Sequence, residues 1–220
     1  MMSSWSEIVV GLTDYLLTLE CAFFAGMLLV IGGGAPEIRR FFVIFFSSLA
    51  LTSLAGGTYH LLFSASSSIP ADVLWKMTVV ALGAVAFAAW SIGACVLLAQ
   101  PVKGFVVKAA LVEFLGYSAY VVAIDDHFWV AIANYLPSVV FLGVAFAISY
   151  RRLSAPPILI GLLGLGVTVA AAAIQRFGLS LHPTYFNHNA TYHLVQAIGL
   201  FMIFRAAIFF ARQPLQGARS

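Results

Sequence analysis

Charged residues are scarce in this sequence. Of its 220 residues only 9% are Asp, Glu, Lys or Arg, whereas 62% are hydrophobic. A soluble globular domain carries about 25% charged residues, and so few charges could not cover a surface that faces water. The composition therefore excludes an ordinary soluble domain and indicates that lipid surrounds most of the chain.

Cysteine is scarce too, and the basic residues form no cluster. Cys21 and Cys95 both lie in apolar stretches, so we interpret them as small hydrophobic side chains rather than as a disulfide or a redox pair. The net charge is only +3, and Lys and Arg stand at the ends of apolar segments. This distribution argues against a nucleic-acid partner and for a membrane.

Seven apolar segments are long enough to cross a bilayer, which takes about 20 helical residues. Because they are continuous rather than alternating, they favour helices over a β-barrel. The connections are too short to separate a second domain. The sequence therefore predicts an all-α, multi-pass integral membrane protein with a single seven-helix transmembrane domain over residues 1–220. The segments cover residues 8–31, 41–63, 73–99, 104–124, 128–149, 157–176 and 187–211.

The basic residues predict the orientation of the bundle. Lys and Arg are enriched on the cytoplasmic side of membrane proteins. Only Lys76 and Arg176 lie at one set of segment ends. We therefore expect the N-terminus on the outer side of the membrane and the C-terminus in the cytoplasm. The basic residues at the other set of ends are Arg39, Arg40, Lys103, Lys108, Arg151, Arg152, Arg205, Arg212 and Arg219.

All the histidines fall at the expected outer ends of the segments. Asp72, and Asp14 about two turns into the first segment, lie at the same ends. Polar side chains within a membrane are costly and face the bundle interior, and imidazoles with nearby carboxylates are common ligands of transition metals. The pattern indicates either a metal site or histidines that are bonded to a neighbouring helix. The histidines are His60, His127, His182, His188 and His193.

The spacing of polar residues in the last segment restricts which side chains share a face. His188 and His193 are five residues apart, so they point about 140° away from each other on a regular helix. Asn189 and His193 share a face. A bulge or a late helix start would bring His188 back towards His193.

This arrangement resembles the CREST superfamily of seven-helix membrane proteins, which includes alkaline ceramidases and adiponectin-type receptors. Its members share a Ser-x-x-x-His at the end of helix 2, an Asp near the start of helix 3, and a His-x-x-x-His in helix 7. Here His60, Asp72 and His193 are similar to these elements. Gly56 stands in place of the motif's Ser, and Asn189 stands in place of the first histidine of helix 7.

The resemblance implies a zinc-dependent hydrolase that cleaves an amide or ester bond of a membrane lipid. It implies His60, His188 and His193 as zinc ligands, and Asp72 and Ser53 as catalytic residues. A catalytic zinc site has three protein ligands and one open position. Because His188 is one place early, the third ligand could instead be His182, His127 or a carboxylate.

Two other functions agree with the same sequence. His60 and His193 lie at similar depth on different segments, so they could ligate one b-type haem. Alternatively, the chain is an accessory subunit of a larger membrane complex or a lipid-binding, receptor-like protein without chemistry of its own. Its 19 phenylalanines suit a surface that packs against lipid and other helices.

Overall fold

A computed structural model describes residues 5–31, 34–182 and 184–213, and seven α-helices account for most of them. Arg219 lies outside the described residues. Each helix is long and apolar enough to cross a membrane. The described residues thus confirm the predicted seven-helix, all-α fold and provide seven candidate spans of a multi-pass membrane protein. The helices are α1 Trp5–Val30, α2 Pro36–Leu62, α3 Ile69–Leu97, α4 Val102–Ala123, α5 Phe128–Leu153, α6 Pro156–Arg176 and α7 His188–Arg212.

Five of the helices, α1 to α4 and α6, begin one to five residues earlier than hydropathy predicts. Polar residues and proline in the first turns of several of them explain the difference. Pro36 and Glu37 form the start of α2, and prolines also occupy the first turns of α3 and α6. Proline suits this position, since the first N–H groups of a helix have no partner within it. Asn187 caps α7, where its side chain accepts hydrogen bonds from the backbone N–H groups of Asn189 and Ala190.

Six helices form a closed ring in the order α1, α2, α3, α5, α6, α7, and α4 packs against α3 outside it. Sequential helices run antiparallel, so α1 and α7 are parallel where they meet. Residues Thr13 and Phe24 of α1 accordingly contact His193 and Phe204 of α7. We call the end of the bundle where α1 and α7 begin the histidine end.

The half of the bundle away from the histidine end is filled by phenylalanine. The rings of Phe24 and Phe204 stack with centroids 4.2 Å apart, and Phe46 meets Phe24 edge-on at 5.3 Å. All three side chains are buried. Many of the phenylalanines therefore pack within the helix bundle, and the buried polar residues of α1 and α7 lie in the other half.

Helices α6 and α7 approach each other closely at a pair of glycines. A Cβ atom on Gly164 would lie 2.7 Å from the carbonyl oxygen of Gly199, and one on Gly199 would lie 2.9 Å from the carbonyl oxygen of Gly164. Both contacts involve backbone, which side-chain rotation cannot relieve. Small residues allow this kind of close helix packing in membranes.

We expect Gly164→Ala to lower the free energy of unfolding by about 1–3 kcal/mol, because the added methyl group forces the two helices apart. Gly166 lies two residues away in the same helix, where a Cβ would meet nothing within 4 Å. Gly166→Ala is the matched control and should be neutral or stabilising by up to about 1 kcal/mol. Thermal unfolding in detergent compares them. Equal midpoints for the two variants would contradict the close approach.

Candidate functional site

A buried polar cluster joins α1 and α7 near the histidine end. Nδ1 of His193 lies 2.9 Å from Oγ1 of Thr13, and Nε2 of the same ring lies 3.3 Å from Oδ1 of Asp14. The side chains of His193 and Asp14 are only 10% and 8% exposed. Both ring nitrogens of one histidine are thus engaged by adjacent residues of one neighbouring helix.

The hydrogen bonds of Thr13 determine which nitrogen of His193 carries a proton. The Thr13 hydroxyl donates to the carbonyl oxygen of Val10 at 2.8 Å. Its single proton is then used, so Oγ1 accepts from Nδ1–H of His193. Two protonation states then allow Nε2 to bond to Asp14. Either Nε2 is unprotonated and accepts a hydrogen bond from a protonated Asp14 carboxyl, or Nε2 carries a proton and donates it in a hydrogen bond to an Asp14 carboxylate. In both states Nε2 and the carboxyl group share one proton.

Glycines of α2 make room for the Asp14 side chain. A Cβ atom on Gly57 would lie 2.9 Å from Cβ of Asp14, whereas one on Gly56 would lie 3.6 Å from Oδ2 of Asp14. The first distance is too short for any larger residue, and the second is an ordinary contact. Gly56, which stands where the superfamily motif has serine, thus borders the carboxyl group of Asp14.

A second imidazole–carboxylate pair lies closer to the histidine end. Nδ1 of His60 in α2 is 2.8 Å from Oε2 of Glu7 in α1, with side chains 22% and 27% exposed. Glu7 and Asp14 are seven residues apart and therefore on one face of α1, while His60 lies one turn beyond Gly56 on α2. Glu7 and Asp14 thus place two imidazole–carboxylate pairs on one face of α1 at two depths, one with α2 and one with α7.

The structure separates other residues that the sequence placed in the site. Asp72 forms an ion pair with Lys76 one turn later, at 3.0 Å, and its side chain is 55% exposed. Ser53 is buried in α2, two turns before His60. His188 is the first residue of α7, which is helical from that position. Because no late start or bulge turns it back, His188 does not share a face with His193.

The remaining histidines lie in loops at the histidine end. Nδ1 of His182 lies 3.3 Å from the backbone nitrogens of Thr184 and Tyr185. His127 precedes α5 and donates to Asp125 from its backbone N–H at 2.9 Å, with its ring at 2.6 Å. These hydrogen bonds, the backbone one foremost, lower the pKa of Asp125. Neither histidine contacts His60 or His193 in the part of the chain that the structure describes.

Two of the donors at the buried cluster fit a zinc ion. Ligands about 2.0–2.1 Å from a tetrahedral zinc ion lie about 3.3 Å from each other, which matches the separation of Asp14 Oδ1 and His193 Nε2. A histidine that ligates zinc also donates its other N–H to a nearby acceptor, as His193 does to Thr13. His60 shows the same pattern with Glu7, its Nδ1 engaged and its Nε2 on the other side of the ring.

Among the described residues, His60, Asp14 and His193 do not lie close enough together to bind one metal ion. Among residues 5–31, 34–182 and 184–213, three potential ligands approach within 4.8 Å of one another only at Asp125, Asp126 and His127, a partly exposed loop group. His60 would therefore have to move towards Asp14 and His193 to complete a site there. The assignment of zinc to His60, His188 and His193 stays a prediction, and so do the catalytic roles of Asp72 and Ser53.

A groove opens beside the buried cluster between α1 and α7. Its volume is about 320 Å³. Leu16 and Leu194 on its rim are 60% and 41% exposed, and both lie on membrane-spanning helices. The groove therefore opens toward lipid. It is lined by Thr13, Leu16, Leu17, Glu20, His193, Leu194 and Ala197.

The chain belongs to DUF6962, a family of unknown function, which it matches over residues 9–212. The match includes parts of all seven helices. It contains His60, Asp14 and His193 of the two imidazole–carboxylate pairs, and it begins after Glu7. No curated protein and no solved structure matches the chain. The chemistry of the site must therefore be argued from its own residues, and the resemblance to the CREST superfamily stays a prediction.

Proposed function

We propose that this member of DUF6962 is a zinc-dependent membrane hydrolase that cleaves an amide or ester bond of a lipid. The observation that carries the proposal is the buried cluster, in which Asp14 Oδ1 and His193 Nε2 stand 3.3 Å apart while Thr13 holds the other ring nitrogen. This separation and this second contact support the proposal because they fit two ligands of one tetrahedral metal ion.

In the proposed site Asp14, His193 and His60 hold the ion. Asp14 replaces His188, the third ligand inferred from the sequence. Three protein ligands leave one position open for substrate or water. When bound, zinc supplies a nucleophilic water at neutral pH and polarises the carbonyl group that is attacked.

The other residues of the site orient these ligands and place the lipid. The Thr13 hydroxyl accepts a hydrogen bond from Nδ1–H of His193, and the Glu7 carboxylate contacts Nδ1 of His60. Nε2 is therefore the nitrogen of each ring that would face the ion. Burial excludes bulk water and strengthens these contacts. The groove beside His193 would hold an acyl chain while its polar end lies at the imidazole. Asp72 and Ser53 are the sequence-based candidates for proton transfer.

The proposed site lies towards the outer face of the membrane. The basic residues predominate at the end of the bundle opposite the histidine end, and basic residues concentrate on the cytoplasmic side. A lipid in the outer leaflet could enter the groove sideways between α1 and α7. The substrate would then not need to cross the membrane.

Metal content and hydrolysis, measured on protein purified in detergent, test the proposal. We expect about one zinc ion per chain and hydrolysis of a fluorescent N-acyl lipid or its ester counterpart that a chelator stops and zinc restores. His193→Ala should remove both properties. His188→Ala is the matched control on the same helix and should keep both. Folded wild type with neither zinc nor hydrolysis would overturn the proposal and favour the accessory-subunit alternative.

A further inference from the structure

The groove contains a carboxyl group that the proposed hydrolysis does not use. Glu20 lies near the middle of α1 and lines the groove together with Thr13 and His193. Its Oε2 atom is buried and has no hydrogen-bond partner among the described residues. An ionisable side chain within a transmembrane segment is costly, and such residues commonly mark a pathway or binding site. Glu20 therefore requires an explanation.

The position of Glu20 places this carboxyl group deeper in the membrane than the buried cluster. Thr13 and Glu20 are seven residues apart, which is two helical turns, so they share a face and lie about 10 Å apart along the axis. Leu16 and Leu17 lie between them on the groove wall. A lipid hydrocarbon chain that enters the groove from the buried cluster therefore passes polar groups there, then Leu16 and Leu17, and then the carboxyl group of Glu20.

We propose that Glu20 binds a hydroxyl group on the hydrocarbon chain of the lipid that occupies the groove, which is the substrate if the proposed hydrolase function holds. A carboxyl group in hydrocarbon is most stable as the neutral acid, which both donates and accepts a hydrogen bond. A hydroxyl group can also donate and accept a hydrogen bond, so it can pair with both the O–H and the carbonyl oxygen of this acid. The ligand is therefore a lipid whose chain carries a hydroxyl about 10 Å from the group held at His193.

A lipid is the occupant because the groove can be reached from the membrane. Its rim residues Leu16 and Leu194 lie exposed on membrane-spanning helices, where the surroundings are hydrocarbon. Its walls are mainly leucine and alanine, which suit an alkyl chain. An unhydroxylated chain would fill the same space and leave Oε2 of Glu20 without a partner.

A binding experiment that does not depend on hydrolysis tests this inference. The probes are two non-hydrolysable lipid analogues that differ only by a mid-chain hydroxyl, and each displaces a fluorescent fatty acid from the protein in detergent. We expect wild type to bind the hydroxylated analogue about 3- to 10-fold more tightly, the scale of one net hydrogen bond. Glu20→Gln should keep the preference, because an amide also donates and accepts, whereas Glu20→Leu should abolish it.

The outcomes separate this inference from the hydrolase proposal. Equal binding of both analogues to wild type, or an unchanged preference in Glu20→Leu, would overturn the role of Glu20 whatever the zinc content. If the protein contains no zinc but still prefers the hydroxylated analogue in a way that depends on Glu20, the hydroxyl-binding site is supported and the zinc-hydrolase proposal is rejected. Ala197→Leu narrows the groove at another wall residue; it should weaken both analogues equally and keep their ratio.

Discussion

Asp14→Asn is expected to lower zinc affinity by more than about 100-fold and to abolish hydrolysis. Removing a residue that only orients a metal ligand already costs about 10- to 100-fold in metal affinity, and here a direct ligand is lost. Asparagine keeps the size of the side chain, so the space beside Gly57 stays filled. Its amide can also still hydrogen bond Nε2 of His193. The fold should therefore survive, with zinc affinity measured by competition with a chelator.

Asp72→Asn is the matched control for Asp14→Asn. The Asp72 side chain is 55% exposed and pairs with Lys76 within α3, and an exposed pair of this kind contributes only about 0.3–0.5 kcal/mol. Zinc affinity should not change. If Asp72→Asn lost the metal and Asp14→Asn kept it, Asp72 rather than Asp14 would be the carboxylate ligand, and our assignment would be wrong. Cobalt substitution gives a second readout, because tetrahedral cobalt absorbs visible light strongly.

The number of membrane spans and their helical structure could be predicted from composition, whereas the order of the helices around the ring could not. Seven apolar runs with few charges permit only helices in a bilayer, because every backbone polar group must be bonded within its own segment. The errors lie at the helix boundaries, because α2 and α3 begin earlier than predicted, at Pro36 and Ile69, and α5 continues to Leu153. These terminal turns contain polar residues or proline, so the apolar segment is shorter than the helix.

The site could be predicted only in part. The sequence placed His60 and His193 at one end of the bundle, and the separation of His188 from His193 follows from helical periodicity. It did not assign Asp14, Thr13 or Glu7, because their contacts arise where α1 closes the ring against α7 and α2. A signal was present: Asp14 lies two turns inside an apolar helix, where a carboxyl group needs a partner.

The orientation and tautomer of the His193 imidazole depend on its hydrogen bond to Thr13. Removing that hydrogen bond is therefore expected to cause the second large loss of zinc affinity. Thr13→Val keeps the shape of the side chain but removes the oxygen that accepts from Nδ1–H at 2.9 Å. The buried N–H then lacks a partner, so the ring turns or changes tautomer, and Nε2 no longer meets Asp14 as a ligand. We expect zinc affinity to fall about 10- to 100-fold, the range for loss of a residue that orients a metal-bound histidine.

Thr13→Ser distinguishes this positioning role from a packing role. Serine keeps the hydroxyl, which can still donate to the carbonyl oxygen of Val10 and accept from His193, but it loses the methyl group. Zinc affinity should stay within about threefold of wild type, the scale of a fraction of one hydrogen bond. If Thr13→Ser lost zinc as completely as Thr13→Val, packing by the methyl group would explain the effect, and the hydrogen bond to His193 would not. Chelator competition on both variants, with unfolding midpoints to confirm the fold, decides between these explanations, because only the hydrogen-bond account requires the two substitutions to differ.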